Sequence, residues 1–193
     1  GATLTGGGAI NLTFLALTLQ DAYSPGTSPL SLVDIAVAGT GSLTIPNGST
    51  LFMQRRNGVA GNLSRMGVPC SNAGAMTIQS FGNEFTGAVT NQATGSLTLE
   101  AAGTLTSAYI HLADNNLVNH GLMTLQDTIA GANTVEISLV NSADTGRLVN
   151  EPTGTINVEP GGTRNITLGV DNNGEWNLNS ATGLTRFGAT YTN

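Results

Sequence analysis

Arginine is the most concentrated charge in this chain, and its positions indicate a candidate binding segment. Arg55, Arg56 and Arg65 lie in a short stretch that shows little regular patterning. Guanidinium groups bind carboxylate, sulfate and phosphate groups through paired hydrogen bonds. We therefore interpret these three residues as candidates for binding an anionic glycan or a protein partner. The alternative is a solvated loop whose arginines balance nearby acids.

The twelve acidic residues are the candidates for acid–base catalysis and for calcium binding. Glycan-cleaving enzymes use carboxylates in pairs, and calcium is held by several carboxylate and carbonyl oxygens. In this chain the acids are dispersed, and no spacing brings two of them together. The segment Asp171-Asn172-Asn173-Gly174 lacks the alternating acids and the closing Glu of a calcium loop. We predict a turn at this segment and no metal site.

His111, His120 and Cys70 are the remaining residues with reactive or metal-binding side chains. Two histidines without a matched third ligand make a poor zinc site. A single cysteine allows no disulfide within the chain, and no Ser, His and Asp fall into a hydrolase motif. We therefore expect no enzymatic activity, no cofactor and no metal.

A five-residue pattern organises the elements that must carry these side chains. It reads Gly, any residue, a large apolar residue, Thr or Asn, and an aliphatic residue. Each copy predicts a glycine bend and a short strand whose third and fifth residues face a core. The spacings of 20 to 33 residues are typical of stacked solenoid coils. The copies begin at Gly8, Gly41, Gly74, Gly95, Gly121, Gly154 and Gly174.

The core-facing positions of these copies form a definite prediction of burial. They are Ile10, Leu12, Leu43, Ile45, Met76, Ile78, Leu97, Leu99, Met123, Leu125, Ile156, Val158, Trp176 and Leu178.

The fourth residue of each copy predicts an outward ladder of Thr and Asn. Flat threonine arrays resemble the ice-binding faces of some β-solenoids, but the flanking outward columns of this chain are of mixed type. The simpler interpretation is structural, because Thr favours strands and stacked Thr and Asn side chains hydrogen-bond well. The predicted ladder consists of Asn11, Thr44, Thr77, Thr98, Thr124, Asn157 and Asn177.

Four later repeats are introduced by an apolar residue, one spacer and an asparagine, namely Asn91, Asn119, Asn150 and Asn172. Asparagine suits corners, and stacked asparagines at about 4.8 Å can hydrogen-bond to one another as a ladder. The chain is therefore predicted to be all-β, a parallel β-helix of about seven irregular coils with at least two strands each. A β-sandwich of the kind found in filament subunits is the alternative.

Residues 1–193 are interpreted as a single β-solenoid segment of a longer chain, with a non-repetitive excursion at about 53–73. No cap is visible at either end, so we expect continued chain or identical subunits to cover both end coils. Only 9% of the residues are charged, Lys is absent, and the net charge is −6. This balance argues against nucleic-acid binding, and no apolar run is long enough for a membrane span.

The apolar-x-Asn pattern followed by Gly-Thr-Ile-Asn-Val resembles repeats of bacterial secreted adhesins and autotransporter passenger domains. The resemblance covers residues 70–193 well and residues 1–52 loosely. It implies a right-handed β-helix, an extracellular or cell-surface location, and a structural or adhesive role with a surface glycan or protein as ligand. Two other functions stay open: a glycan-binding or glycan-degrading spike protein, and a self-assembling extracellular filament subunit.

Overall fold

The chain folds as a three-sided parallel β-helix in a computed structural model. The structure describes residues 8–13, 16–55, 64–79, 82–102, 107–128, 133–179, 185–187 and 191–192. These residues form strands and turns and contain no helix. The strands visit sheets A, B and C in strict rotation, so three strands make one coil and each sheet has eight strands.

The strands form three sheets. The strands of each sheet are named below in the order in which they are hydrogen-bonded to one another. Sheet A contains β1 (Ile10–Thr13), β4 (Leu30–Val33), β7 (Thr50–Gln54), β10 (Ala75–Gln79), β13 (Ser96–Ala101), β16 (Leu122–Asp127), β19 (Thr155–Val158) and β22 (Glu175–Leu178). Sheet B contains β2 (Ala16–Leu19), β5 (Ala36–Gly39), β8 (Ser64–Met66), β11 (Asn83–Phe85), β14 (Ser107–Leu112), β17 (Thr134–Leu139), β20 (Thr163–Ile166) and β23 (Thr185–Phe187). Sheet C contains β3 (Ala22–Tyr23), β6 (Ser42–Ile45), β9 (Cys70–Asn72), β12 (Val89–Asn91), β15 (Leu117–Asn119), β18 (Arg147–Asn150), β21 (Gly169–Asn172) and β24 (Tyr191–Thr192).

Every strand pair in the described residues is parallel, and each strand pairs with the equivalent strand of the next coil. The predicted parallel β-helix is thus confirmed, and the β-sandwich alternative is wrong for this part of the chain. Parallel crossovers are almost always right-handed, in keeping with the predicted hand.

Alternation along the strands sends one set of side chains into a continuous apolar core between the three sheets. Ten of the predicted motif positions are fully buried: Leu43, Ile45, Met76, Ile78, Leu97, Leu99, Met123, Leu125, Ile156 and Val158. Ile10, Leu12 and Trp176 are only partly buried, and Leu178 is 60% exposed, so the prediction is wrong for Leu178. These four residues lie in β1 and β22, the edge strands of sheet A, which have a neighbouring strand on one side only.

A ladder of buried asparagines runs from coil to coil along the carboxyl ends of the sheet C strands. From one coil to the next, the side-chain nitrogen of each asparagine donates to the side-chain oxygen of the following one at 2.8 Å. The four predicted asparagines are members, and Asn72 extends the ladder by one coil. It ends there because the next position is occupied by Ile45. The members are Asn72, Asn91, Asn119, Asn150 and Asn172.

The motif glycines are needed for close packing between coils. An added Cβ at Gly95, Gly121 or Gly154 would collide with backbone carbonyl oxygens of the preceding coil, and Gly74 and Gly174 are similarly placed. None of these five has a positive φ angle. Glycine therefore stands first in the motif because a side chain has no room there, rather than because the chain bends in the left-handed region.

One copy of the motif lies in a different sheet from the others. Residues 42–45, which follow Gly41, form β6 of sheet C, so Thr44 pairs with Ser71 and does not join the predicted ladder. Ser31 and Phe52 occupy the two coils that the sequence-based prediction skipped. The prediction failed because a short alternating strand has the same sequence pattern on any of the three sides.

The predicted excursion at about 53–73 is narrower in the structure. Met53 and Gln54 end β7, and residues 64–66 and 70–72 form β8 and β9, which pair with both neighbouring coils. These parts therefore belong to a regular coil. Residues 56–63 lie outside the described residues.

Candidate binding surfaces

The outer face of sheet A carries the predicted Thr/Asn ladder in a corrected form. Only three threonines are consecutive in it, and Phe52 separates them from the first coils. The side-chain nitrogen of Asn177 donates to the side-chain oxygen of Asn157 at 3.1 Å. In order of coils, the column reads Asn11, Ser31, Phe52, Thr77, Thr98, Thr124, Asn157 and Asn177.

The neighbouring column of sheet A is a ladder of amides around one carboxylate. Gln79 donates to Oε2 of Glu100 at 2.8 Å, and Gln126 donates to Oε1 of the same residue at 3.0 Å. Gln54 donates to Gln79 at 3.4 Å. The polar side chains of this column thus use one another as partners, and the column lacks the repeated threonines of an ice-binding surface.

The outer face of sheet B carries a row of polar side chains that includes an ion pair. Register places Arg65, Glu84, His111 and Ser138 side by side in four successive coils. Nε and Nη2 of Arg65 both donate to Oε2 of Glu84, at 2.9 and 2.6 Å. Nδ1 of His111 lies 2.8 Å from Oγ of Ser138. Each member of the row is therefore hydrogen-bonded to a neighbouring coil.

A second column on sheet B lies beside this row. Tyr109, Glu136 and Asn165 are register neighbours, and the Asn165 amide donates to Oε2 of Glu136 at 3.2 Å. The Tyr109 and His111 rings lie 5.8 Å apart between centroids and are tilted by 49°. Two aromatic rings thus stand next to two acids. We call Arg55, Arg65, Glu84, Tyr109, His111, Glu136 and Ser138 the sheet B patch.

The charges of the sheet B patch nearly cancel. Burial lowers the pKa of His111, and this effect and the nearby Arg55 charge outweigh the opposing charges of Glu136 and Glu84. His111 is therefore neutral at pH 7. Two arginines then face two glutamates, so the patch offers donors, acceptors and aromatic rings with little net charge.

The predicted arginine site is partly assembled by the fold. Arg65 lies in β8 of sheet B, and Arg55 follows β7 of sheet A with its guanidinium against Gly82, next to β11 of sheet B. The Arg65 charge is compensated by Glu84, which argues against a site selective for anions. Arg56 lies outside the described residues. Glu84, Tyr109, His111 and Glu136 were not predicted as one surface, because their juxtaposition depends on coil lengths that alternation does not fix.

The other candidate residues have structural partners. Arg147 forms an ion pair with Asp171 at 2.5 Å, which lowers the pKa of that carboxyl. Asn172 joins the ladder, and Asn173 donates its backbone nitrogen to Asn150 in a turn. Burial raises the pKa of Cys70 to about 12, so its thiol is not a ready nucleophile. Within the described ranges, no three His, Cys, Asp or Glu residues are grouped so that they could hold a metal ion.

The chain was also compared with known proteins. It matches no protein-family model, no curated protein and no solved structure. The described part of the chain contains no helix with the length and apolar character needed to cross a membrane. The features that bear on function are the coil stack and the outer faces of sheets A and B.

Proposed function

We propose that the chain is a non-enzymatic, extracellular structural and adhesive β-solenoid, a surface stalk or contact module. One observation carries the proposal: three eight-stranded sheets continue in register around one apolar core. At about 4.8 Å per coil, eight coils span roughly 35 Å. Such a stack holds its outer side chains at fixed spacing, which suits a rod that presents a contact face.

The sheet B patch is the proposed contact face. Rigid aromatic side chains supply contact area at low entropic cost, and neighbouring acids and guanidinium groups provide hydrogen bonds. Tyr109 and His111 lie at its centre, with Glu84 and Glu136 beside them. The partner that fits is a polar surface glycan or a protein ligand, and two residues of the predicted arginine site, Arg55 and Arg65, belong to the patch.

A bead-adhesion assay tests this function. Beads coated with the chain should bind surfaces that carry extracellular glycans or proteins, and a Tyr109→Ala/His111→Ala variant should lose most of that binding. The matched control is Thr98→Ala/Thr124→Ala on sheet A, which should retain it. Circular dichroism verifies that both variants fold. Equal adhesion by the two variants would remove the patch from the proposal, and no adhesion of the parent chain to any surface would remove the adhesive role.

Absence of glycan cleavage is part of the same proposal. The acids of the two described faces are engaged by amides or by arginine, as at Glu100 and Glu84. Incubation with a panel of neutral and acidic polysaccharides should release neither reducing ends nor unsaturated products. Release that a single Asp or Glu substitution abolishes would instead identify a glycan-degrading spike protein.

A filament subunit is the second candidate, and the exposed residue Leu178 favours it. Leu178 is 60% exposed, whereas its register neighbour Val158 is 1% exposed. A further coil on β22, from continued chain or from an identical subunit, would bury this side chain. Sedimentation over a range of concentrations tests whether an identical subunit covers β22. If it does, Leu178→Glu should reduce end-to-end association. A parent chain that stays monomeric throughout would leave only continued chain.

A further inference from the structure

The structure distinguishes two Asn-Gly pairs that have the same local sequence chemistry. Asn47-Gly48 lies in the turn between β6 and β7, and Asn173-Gly174 lies in the equivalent turn between β21 and β22. We propose that Asn47 is a site of spontaneous deamidation and that the coil stack protects Asn173. A third pair, Asn57-Gly58, lies outside the described residues.

The reaction needs only the chain and water. The backbone nitrogen of Gly48 attacks the side-chain carbonyl carbon of Asn47, a C–N bond forms, and ammonia leaves with the proton of that nitrogen. Water then opens the resulting succinimide at either carbonyl. One product is Asp at position 47, and the other is isoaspartate, in which the main chain runs through the former side chain. No oxidant, reductant or cofactor takes part.

The turn at Asn47 leaves this attack open. Its ends are held by the bond from the Ser49 nitrogen to the Pro46 oxygen at 3.0 Å and by Ser49 Oγ, which donates to Ser28 at 3.0 Å. Its tip is exposed at both Asn47 and Gly48. Gly48 has a φ angle of 82°, and no atom lies within 4 Å of the position of an added Cβ. Within the described residues, no hydrogen bond holds the Asn47 side chain.

The turn at Asn173 is packed against the preceding coil. The Asn173 nitrogen donates to the Asn150 oxygen at 2.8 Å, and the Glu175 nitrogen donates to the Gly154 oxygen at 2.9 Å. An added Cβ at Gly174 would collide with the carbonyl oxygens of Glu151 and Gly154. The backbone rotation that brings the Gly174 nitrogen to the Asn173 side chain would separate these coils, so attack requires local opening.

Timed peptide mapping tests the proposal. The folded chain is held in mildly alkaline buffer, and the peptides around each Asn-Gly pair are quantified by mass spectrometry and an isoaspartate assay. We expect Asn47 to convert at least about tenfold faster than Asn173, with that difference lost in urea, where local protection is removed. Asn47→Gln should abolish conversion at that position.

Two results would overturn the inference. One is similar conversion of Asn47 and Asn173 in the folded chain, which would mean that the coil stack gives no protection. The other is an Asn47 that stays intact when folded but converts in urea, which would mean that its turn is protected as well.

Discussion

Buried asparagines illustrate, at the scale of single residues, how polar groups are accommodated within this core. Asn119 accepts from Asn91 and donates to Asn150, both at 2.8 Å, and its nitrogen also lies 3.1 Å from the Gly121 oxygen. Burying an amide is costly unless it is hydrogen-bonded, and each interior member of the ladder serves both neighbours. The ladder therefore fixes the register of sheet C as well as adding hydrogen bonds.

Removing one member of the asparagine ladder should lower the free energy of unfolding. Asn119→Ala leaves the side-chain oxygen of Asn150 without its donor, at about 1–3 kcal/mol for a buried group. The side-chain nitrogen of Asn91, by contrast, keeps the carbonyl oxygens of Gly95 and Leu122 as acceptors. We expect a clear loss of unfolding free energy in urea titration. Thr98→Ala on the outer face is the control and should change it by about 0.5 kcal/mol or less. Equal effects of the two substitutions would contradict a stabilising ladder.

His111 should make stability depend on pH. Its folded-state pKa is lowered, mainly by burial, with Glu136 and Glu84 opposing and Arg55 assisting that shift. The unfolded chain therefore binds the proton more readily than the folded chain. The contribution of His111 to the free energy of unfolding is thus fully present above an unfolded pKa of about 6.5, and it is lost as the pH falls below that value. Urea titrations across this range should show a decline that is smaller in His111→Gln. His120→Gln controls for the loss of an imidazole, and an unchanged decline in His111→Gln would refute the prediction.

At the scale of elements, the repeated strand was predictable and its side of the helix was not. Alternation identified the core positions of β10, β13, β16 and β19, because an inward residue every second position is required in any sheet. The same pattern placed Thr44 in the wrong sheet and missed Ser31 and Phe52. The reason is that the copies of the five-residue motif do not indicate how many residues lie in each corner between strands. The sheet B patch depends on the same corner lengths and so could not be found from sequence.

The motif glycines permit a matched pair of substitutions. Gly154→Ala places a methyl group against the carbonyl oxygen of Asn119 and beside the ladder, so it should destabilise the fold by about 1–3 kcal/mol through overpacking. Gly8→Ala, at the same motif position, meets no atom within 4 Å and should be nearly neutral. Thermal melts of the two variants provide the comparison. A neutral Gly154→Ala would mean that neighbouring coils can move apart freely.

At the scale of the whole molecule, position along the stack should set the cost of a core substitution. Leu125 and Leu12 occupy the same motif position, but Leu125 is fully buried in a central coil and Leu12 is partly buried in the edge strand β1. Leu125→Ala should cost about 2–5 kcal/mol, as in other well-packed cores, and Leu12→Ala should cost less. Unfolding followed by urea titration measures both. A larger loss for Leu12→Ala would contradict the view that the edge coils contribute least.

The direction of the interstrand hydrogen bonds also determines how the rod would carry load. These bonds lie along the solenoid axis, so a pull transmitted through whole coils tensions all three sheets at once. The contact between coils that breaks first is then the one with the fewest paired residues. β3 and β6 share two residue pairs, and β21 and β24 near the other end also share two, whereas β13 and β16 share six. Under tension, the described coil stack would therefore yield near its ends and keep its central coils intact.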